Sequence, residues 1–252
     1  MDVKDLYRRA TPSIAPLMRA PVLAPLLGTL ASLASAAHAQ QVPDLGPYLI
    51  EDRAAEVALA RSAAPRAVSD SATVLVLART GFVEAAHGSN GFTCLVVRSF
   101  SGDVDDPGVV KDPGFWNPRV RAPHCFNPPA VRTVLPAMLT HAKWVLSGTR
   151  PEDAAARTRR AYATREFAPP APGAMAYMLS PQQHIVDANP HWLPHLMFYF
   201  DRAFRAATWG AGAGGAPVID ASAGDPDFPV LTLLVPVRRW SDGTMAAPAA
   251  SH

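Results

Sequence analysis

Apolar and polar positions along the chain recur with more than one period, and each period predicts a different element. Over residues 48–62, Ile50, Ala54, Val57 and Ala58 fall on one helical stripe, which predicts an amphipathic helix. Residues 73–79, Thr-Val-Leu-Val-Leu-Ala-Arg, are almost continuously apolar, the pattern of a buried strand. Residues 82–87 and 91–98 flank Gly88-Ser89-Asn90, and strand, glycine-bearing turn and strand together predict a β-hairpin. These three strands are expected to begin one antiparallel sheet.

Farther along, Val131, Leu135, Met138, Leu139, Ala142, Val145 and Leu146 return at helical spacing and leave Arg132, Thr140, His141 and Lys143 on the outside. Pro136 predicts a break or kink within that stretch. Thr149-Arg-Pro-Glu152 has the form of a capping box, opening a helix that runs to about Glu166 and carries Arg157, Arg159, Arg160 and Arg165 on a solvated face. Strands are expected again over residues 174–180, 195–200 and 230–237. The Gly-, Ala- and Pro-rich residues 210–229 predict a mobile loop, and residues 241–252 a disordered tail.

Residues 101–129 break the rhythm. They hold six prolines and four aspartates, and Phe115-Trp116-Asn117-Pro118 is echoed by Cys125-Phe126-Asn127-Pro128. A residue before proline is pushed out of the helical region, so both motifs read as turns in one long connection. Strands, then helices, then strands again predict a single α+β domain over residues 40–240. Its sheet is mainly antiparallel, with two to three helices packed on it and one long Pro-rich loop.

The amino terminus changes the picture. Residues 20–43 carry no formal charge, follow Lys4, Arg8, Arg9 and Arg19, and contain the small-x-small triplet Ala37-His38-Ala39 before Gln40. A positive flank, a short apolar run and such a triplet describe a secretory signal peptide over residues 1–39, with Met18 an alternative start. The run is short and dilute for a membrane anchor, so the mature chain is expected to be periplasmic or secreted and not inserted in a membrane. A formal net charge of +2 gives no basic excess of the kind that draws a protein to nucleic acid. In an oxidising compartment the two cysteines, Cys94 and Cys125, read as one disulfide. The sharper alternative, a Cys125 thiol activated by His124, is disfavoured because adjacent residues seldom face each other.

Several segments taken together resemble a group of exported bacterial hypothetical proteins. They are Asn90-Gly-Phe-Thr-Cys94, Phe115-Trp-Asn-Pro118, Cys125-Phe-Asn-Pro128, Gly173-Ala-Met-Ala-Tyr-Met178 and His191-Trp-Leu-Pro-His-Leu-Met-Phe198. The resemblance spans most of residues 50–240. It implies secretion and a common fold, and no chemistry.

Candidate chemistry therefore rests on residues. His184, His191 and His195 lie within twelve positions of one another. Neutral imidazole is the commonest metal ligand, and three protein ligands with an open position suit zinc-assisted hydrolysis. His191 and His195 are the expected ligands, with His184 as third ligand or proton shuttle; Met197 beside His195 also admits copper. A strand from His195 puts His195, Met197 and Tyr199 on one face and Leu196, Phe198 and Phe200 on the other. Pro194 and the lack of an H-E-x-x-H signature weaken the helical version of this site. The bland alternative has these histidines bonding loop backbone.

Trp116, Phe126, Trp192 and Tyr199 are the expected walls of a small-molecule pocket, or else core aromatics pinning the long loop. His87-Gly88-Ser89-Asn90-Gly91 lacks the first glycine of a nucleophile elbow and precedes a strand, so a turn explains it. Asp103-Val-Asp105-Asp106-Pro-Gly108 starts like a calcium loop, but Gly114 stands where the bidentate glutamate belongs. Neither a phosphate-gripping loop nor a dinucleotide fingerprint is present, which disfavours nucleotide hydrolases and common dehydrogenases. Three functions remain: an exported metal-dependent hydrolase, a periplasmic small-molecule-binding protein without chemistry, and a structural or interaction module docking through the Pro-rich loop.

Overall fold

The computed structural model describes residues 42–102, 113–185, 187, 192–222 and 227–247. The expected leader, the aspartate turn at residues 103–108 and His191 lie outside the described residues. An eight-stranded sheet carries the fold, in the order β2-β1-β3-β4-β5-β6-β8-β7. Its strands are β1 Thr73–Ala78, β2 Gly81–Ala86, β3 Thr93–Val97, β4 Ala122–Phe126, β5 Met175–Met178, β6 His195–Asp201, β7 Ile219–Asp220 and β8 Val230–Pro236. All neighbours pair antiparallel except β1 and β3, which run parallel. The protein is thus α+β with a mostly antiparallel sheet.

Five helices appear among the described residues, where two to three were expected: α1 Arg53–Arg61, α2 Arg66–Ser69, α3 Pro128–Thr133, α4 Leu135–Leu146 and α5 Pro151–Ala163. Asp52 caps α1, its side chain accepting from the Ala54 N–H at 2.8 Å. That helix lies over the sheet face bearing Val74, Cys94, Val96 and Cys125, with Ala60, Ala63 and Ala64 filling the gap. Helices α3 to α5 pack on the opposite face with Leu95, Val97, Ala122, Phe126 and Ala176. The break predicted at Pro136 falls at Val134 instead. Proline then sits in the first turn of α4, where its missing N–H breaks no helical bond. Arg150, not Thr149, occupies the cap of α5 and makes no side-chain capping bond; Pro151 with Glu152 and Asp153 starts that helix.

The predicted hairpin between residues 82–87 and 91–98 does not form. β2 pairs with β1 through a turn at Arg79-Thr80, and residues 87–92 cross the start of β1 to reach its other side. Ser89 N–H donates to Ser71 O at 2.8 Å, Gly88 N–H to Thr73 Oγ1 at 3.0 Å, and the Asn90 amide to Val68 O at 2.7 Å. The alternating pattern was right for two strands but said nothing about which neighbour each would take. Gly88 is obligatory in this crossover, because a Cβ there would stand 2.1 Å from Thr73 N and 2.5 Å from Ser71 O. Gly88→Ala is expected to cost about 2–3 kcal/mol in chemical denaturation, since only backbone can yield. Gly214→Ala, where a Cβ meets nothing, should stay within ~0.5 kcal/mol.

The long loop expected over residues 101–129 is interrupted by β4, at the centre of the sheet. Cys94 and Cys125 face each other across β3 and β4 and form the disulfide, with a Cα–Cα distance of 4.0 Å that marks a non-hydrogen-bonded pair. The neighbouring pair, Leu95 and His124, therefore carries ladder bonds, and Pro123 opposite Val96 needs no N–H toward β3. Its nitrogen turns toward β5, which pairs with β4 only at Cys125 and Phe126. A proline is tolerated in a central strand because the ladder is already open there. Closing a 31-residue separation, the disulfide contributes about 3–4 kcal/mol on a chain-entropy estimate.

Past residue 240 the described chain, which runs to residue 247, still makes contacts. Ser241 donates through Oγ to Ser62 O at 2.6 Å, and Arg239 bridges to Met245. Among the described residues no helix is long and apolar enough to cross a membrane.

Candidate functional site

Alternation on β4, β6 and β8 points Ala122, His124, His195, Met197, Tyr199, Val230, Thr232 and Leu234 to the face beneath α4 and α5. With Val134 at the junction of α3 and α4, Ala137 and Met138 from α4, and Thr158 and Tyr162 from α5, they line a cavity of about 300 Å³. Met178, Ile185 and Trp192 line it as well. Most of this lining is apolar, and the polar groups in it are few and fixed.

Two of those groups are histidines. His124 Nδ1 lies 2.9 Å from Ala122 O, and His195 Nδ1 lies 2.8 Å from Leu193 O. A carbonyl only accepts, so each Nδ1 carries the proton and each Nε2 keeps its lone pair. Burial pushes both pKa values down to about 4, so both rings are neutral at pH 7; the backbone bonds oppose that shift only in part. Trp192 meets His195 edge-on at 4.7 Å between ring centroids, and Phe126 stacks between His124 and Tyr199 at 5.7 and 6.1 Å. Neither imidazole is free to turn.

Of the residues singled out in the sequence, His195, Trp192 and Tyr199 line the cavity. Phe126 is fully buried behind His124 and Tyr199, and Trp116 packs with Tyr48, Phe100 and Phe115 in a separate cluster. His184 is directed elsewhere: its backbone bridges Arg121, and its Nε2 contacts Asp187 Oδ1 at 2.9 Å. Asp187 also receives Arg119 and Asn117, and the His184 bond, with help from those two, holds its carboxyl below the usual range. Among the described residues, no group of three or more His, Cys, Asp or Glu side chains converges as a metal site.

His124 was overlooked as a site residue. The signal was present, because Cys125 faces its disulfide partner and the residue before it must face the other way. Reading residues 122–126 as loop hid that alternation. His141, expected on the solvent side of its helix, is instead fully buried, with Nδ1 at 3.2 Å from Thr158 Oγ1. Thr158 passes its own proton to Ala154 O, 3.0 Å away. Polar identity misled there, since a histidine counts as outward by composition and packs as an aromatic once bonded.

Among the described residues of its wall there is one cation, Arg98, which is buried and spends its guanidinium on Glu56, Tyr48 O and Val96 O. No family model, characterised protein or solved structure matches this chain.

Proposed function

We propose that this is an exported protein that binds a small, uncharged and largely apolar molecule in the cavity between the sheet and helices α4 and α5, without converting it. One observation carries the reading: a cavity of about 300 Å³, walled mostly by aliphatic and aromatic side chains, with two neutral histidines among its fixed polar points. Small-molecule sites have this make-up and begin at this size. The disulfide between Cys94 and Cys125 supports export, since such bonds persist in oxidising compartments. Hydrolysis through a zinc or copper ion on His184, His191 and His195 is less well supported, because His184 is engaged with Asp187 and does not line the cavity.

The test is binding of indole and toluene to the full chain by calorimetry. For ligands of this size, gains of ~0.6 kcal/mol per heavy atom put Kd on the order of 0.1–1 mM. Ala137→Phe, which fills the cavity from α4, should abolish binding while leaving thermal stability within a few degrees; Ala122→Met, from β4, is the second plug. Equal binding by the wild type and both plugged variants would reject the cavity as the site.

A further inference from the structure

Cross-strand register puts His124, Met178 and His195 on one rung. Met178 pairs with His195 directly, and one step beyond Cys125 and Tyr177 brings His124 opposite Met178. All three line the cavity. β4 and β6 run parallel to each other, both being antiparallel to β5, and each ring is tied to the carbonyl two residues earlier. The two imidazoles therefore lean the same way and stand side by side, with a thioether between them. Each ring uses its only proton on backbone, so what it offers to the cavity is an acceptor and nothing else.

We infer that the ligand is a neutral molecule with hydrogen-bond donors at two opposite ends, such as a dihydroxy aromatic, bridging the Nε2 atoms of His124 and His195 across Met178. This rests on the reading of the cavity as a small-molecule site and adds the chemistry that selects the occupant. The strands bearing the two rings are two spacings apart, ~9.6 Å at the backbone. A benzene ring with para hydroxyls, adding a hydrogen bond of ~2.8 Å at each end, matches a gap of that order. Met178 sulfur suits the ring face or edge. Carboxylates and phosphates are refused, because two lone pairs repel them and Arg98 is committed behind the wall. Ethers bind more weakly, having no proton to give to either lone pair.

The experiment compares 1,4-benzenediol, 4-methoxyphenol and 1,4-dimethoxybenzene under argon, with benzoate as the anion, by calorimetry on the disulfide-bonded chain. Each methylation is expected to weaken binding about five- to tenfold, the worth of one hydrogen bond, and benzoate should not bind. In His124→Leu, and separately in His195→Leu, one of the two steps should vanish, so that diol and monophenol bind alike. The double variant should prefer none of the three. Equal affinities in the wild type, tighter binding of benzoate, or a diol preference that survives in the double variant would each overturn this inference while leaving the cavity a binding site. Failure of every probe, the dimethoxy compound and toluene included, would remove the cavity reading and this inference with it.

Discussion

Acidification from pH 6.5 to pH 4 is expected to remove on the order of 10 kcal/mol of folding stability, enough to unfold the protein before its carboxylates titrate in bulk. Burial lowers His124, His141 and His195 from the ordinary 6.5 to about 4 in the folded state. Between those values the unfolded chain binds three protons that the folded chain refuses. Stability is then complete above pH 6.5 and falls as pH drops, by about 1.4 kcal/mol per unit for each histidine. Each contributes about 3 kcal/mol across the window, against a total of ~5–15 kcal/mol for a typical domain. Chemical denaturation at half-unit pH intervals measures the slope. His141→Leu, at a position that does not itself line the cavity, should lower that slope by a third. A slope of zero between pH 6 and 5 would show that the three rings are protonated in the native protein.

The second large effect concerns the ion pair beneath α1. Glu56 Oε1 receives Arg98 at 2.7 Å and the Leu77 N–H at 3.1 Å, and both side chains are fully buried. Arg98 also donates to Tyr48 O at 2.9 Å and to Val96 O, so the pair joins α1, β1, β3 and the turn at residues 46–48. Burial draws the guanidinium below its ordinary pKa, and Glu56 restores part of that. Arg121 stands close enough to feel it, pushed down to about 10 by burial first and by the Arg98 charge second. Glu56→Leu should cost about 3–5 kcal/mol, because it strands a buried cation beside another. The double variant Glu56→Leu, Arg98→Met should recover most of that loss, since an isosteric apolar pair removes both desolvation penalties. Additive losses in the denaturation cycle would mean that the two side chains act independently.

How far the sequence reveals the fold depends on which physical signal each element leaves. β1, β6 and β8 are legible because their runs are apolar and β-branched or aromatic, and strand alternation places His195, Met197 and Tyr199 on one face without any knowledge of the partner strands. The same alternation exists in β4, but Pro123 and the Asn127-Pro128 turn mask it as loop. The proline is permitted there only by a ladder that opens toward β5, which is a property of pairing and not of the strand itself. Pairing is likewise why the β2–β3 hairpin was mistaken: six residues can turn back beside their own strand or step over a third one, and the choice lies in the contacts of Gly88 and Asn90 with residues 68–73. Of the site, the half on β6 was readable and the half on β4 was not. Clustering in sequence suggested His184 as a partner for His195, whereas the sheet supplies His124 from two strands away.

β4 holds a disulfide sulfur and an imidazole at consecutive positions, one under α1 and the other in the cavity. Because the side-chain period of a strand is two, inserting or deleting a single residue inside it would exchange these occupants, delivering sulfur to the ligand and nitrogen to the crosslink. A change of length that keeps both roles must therefore fall in the connections on either side of β4.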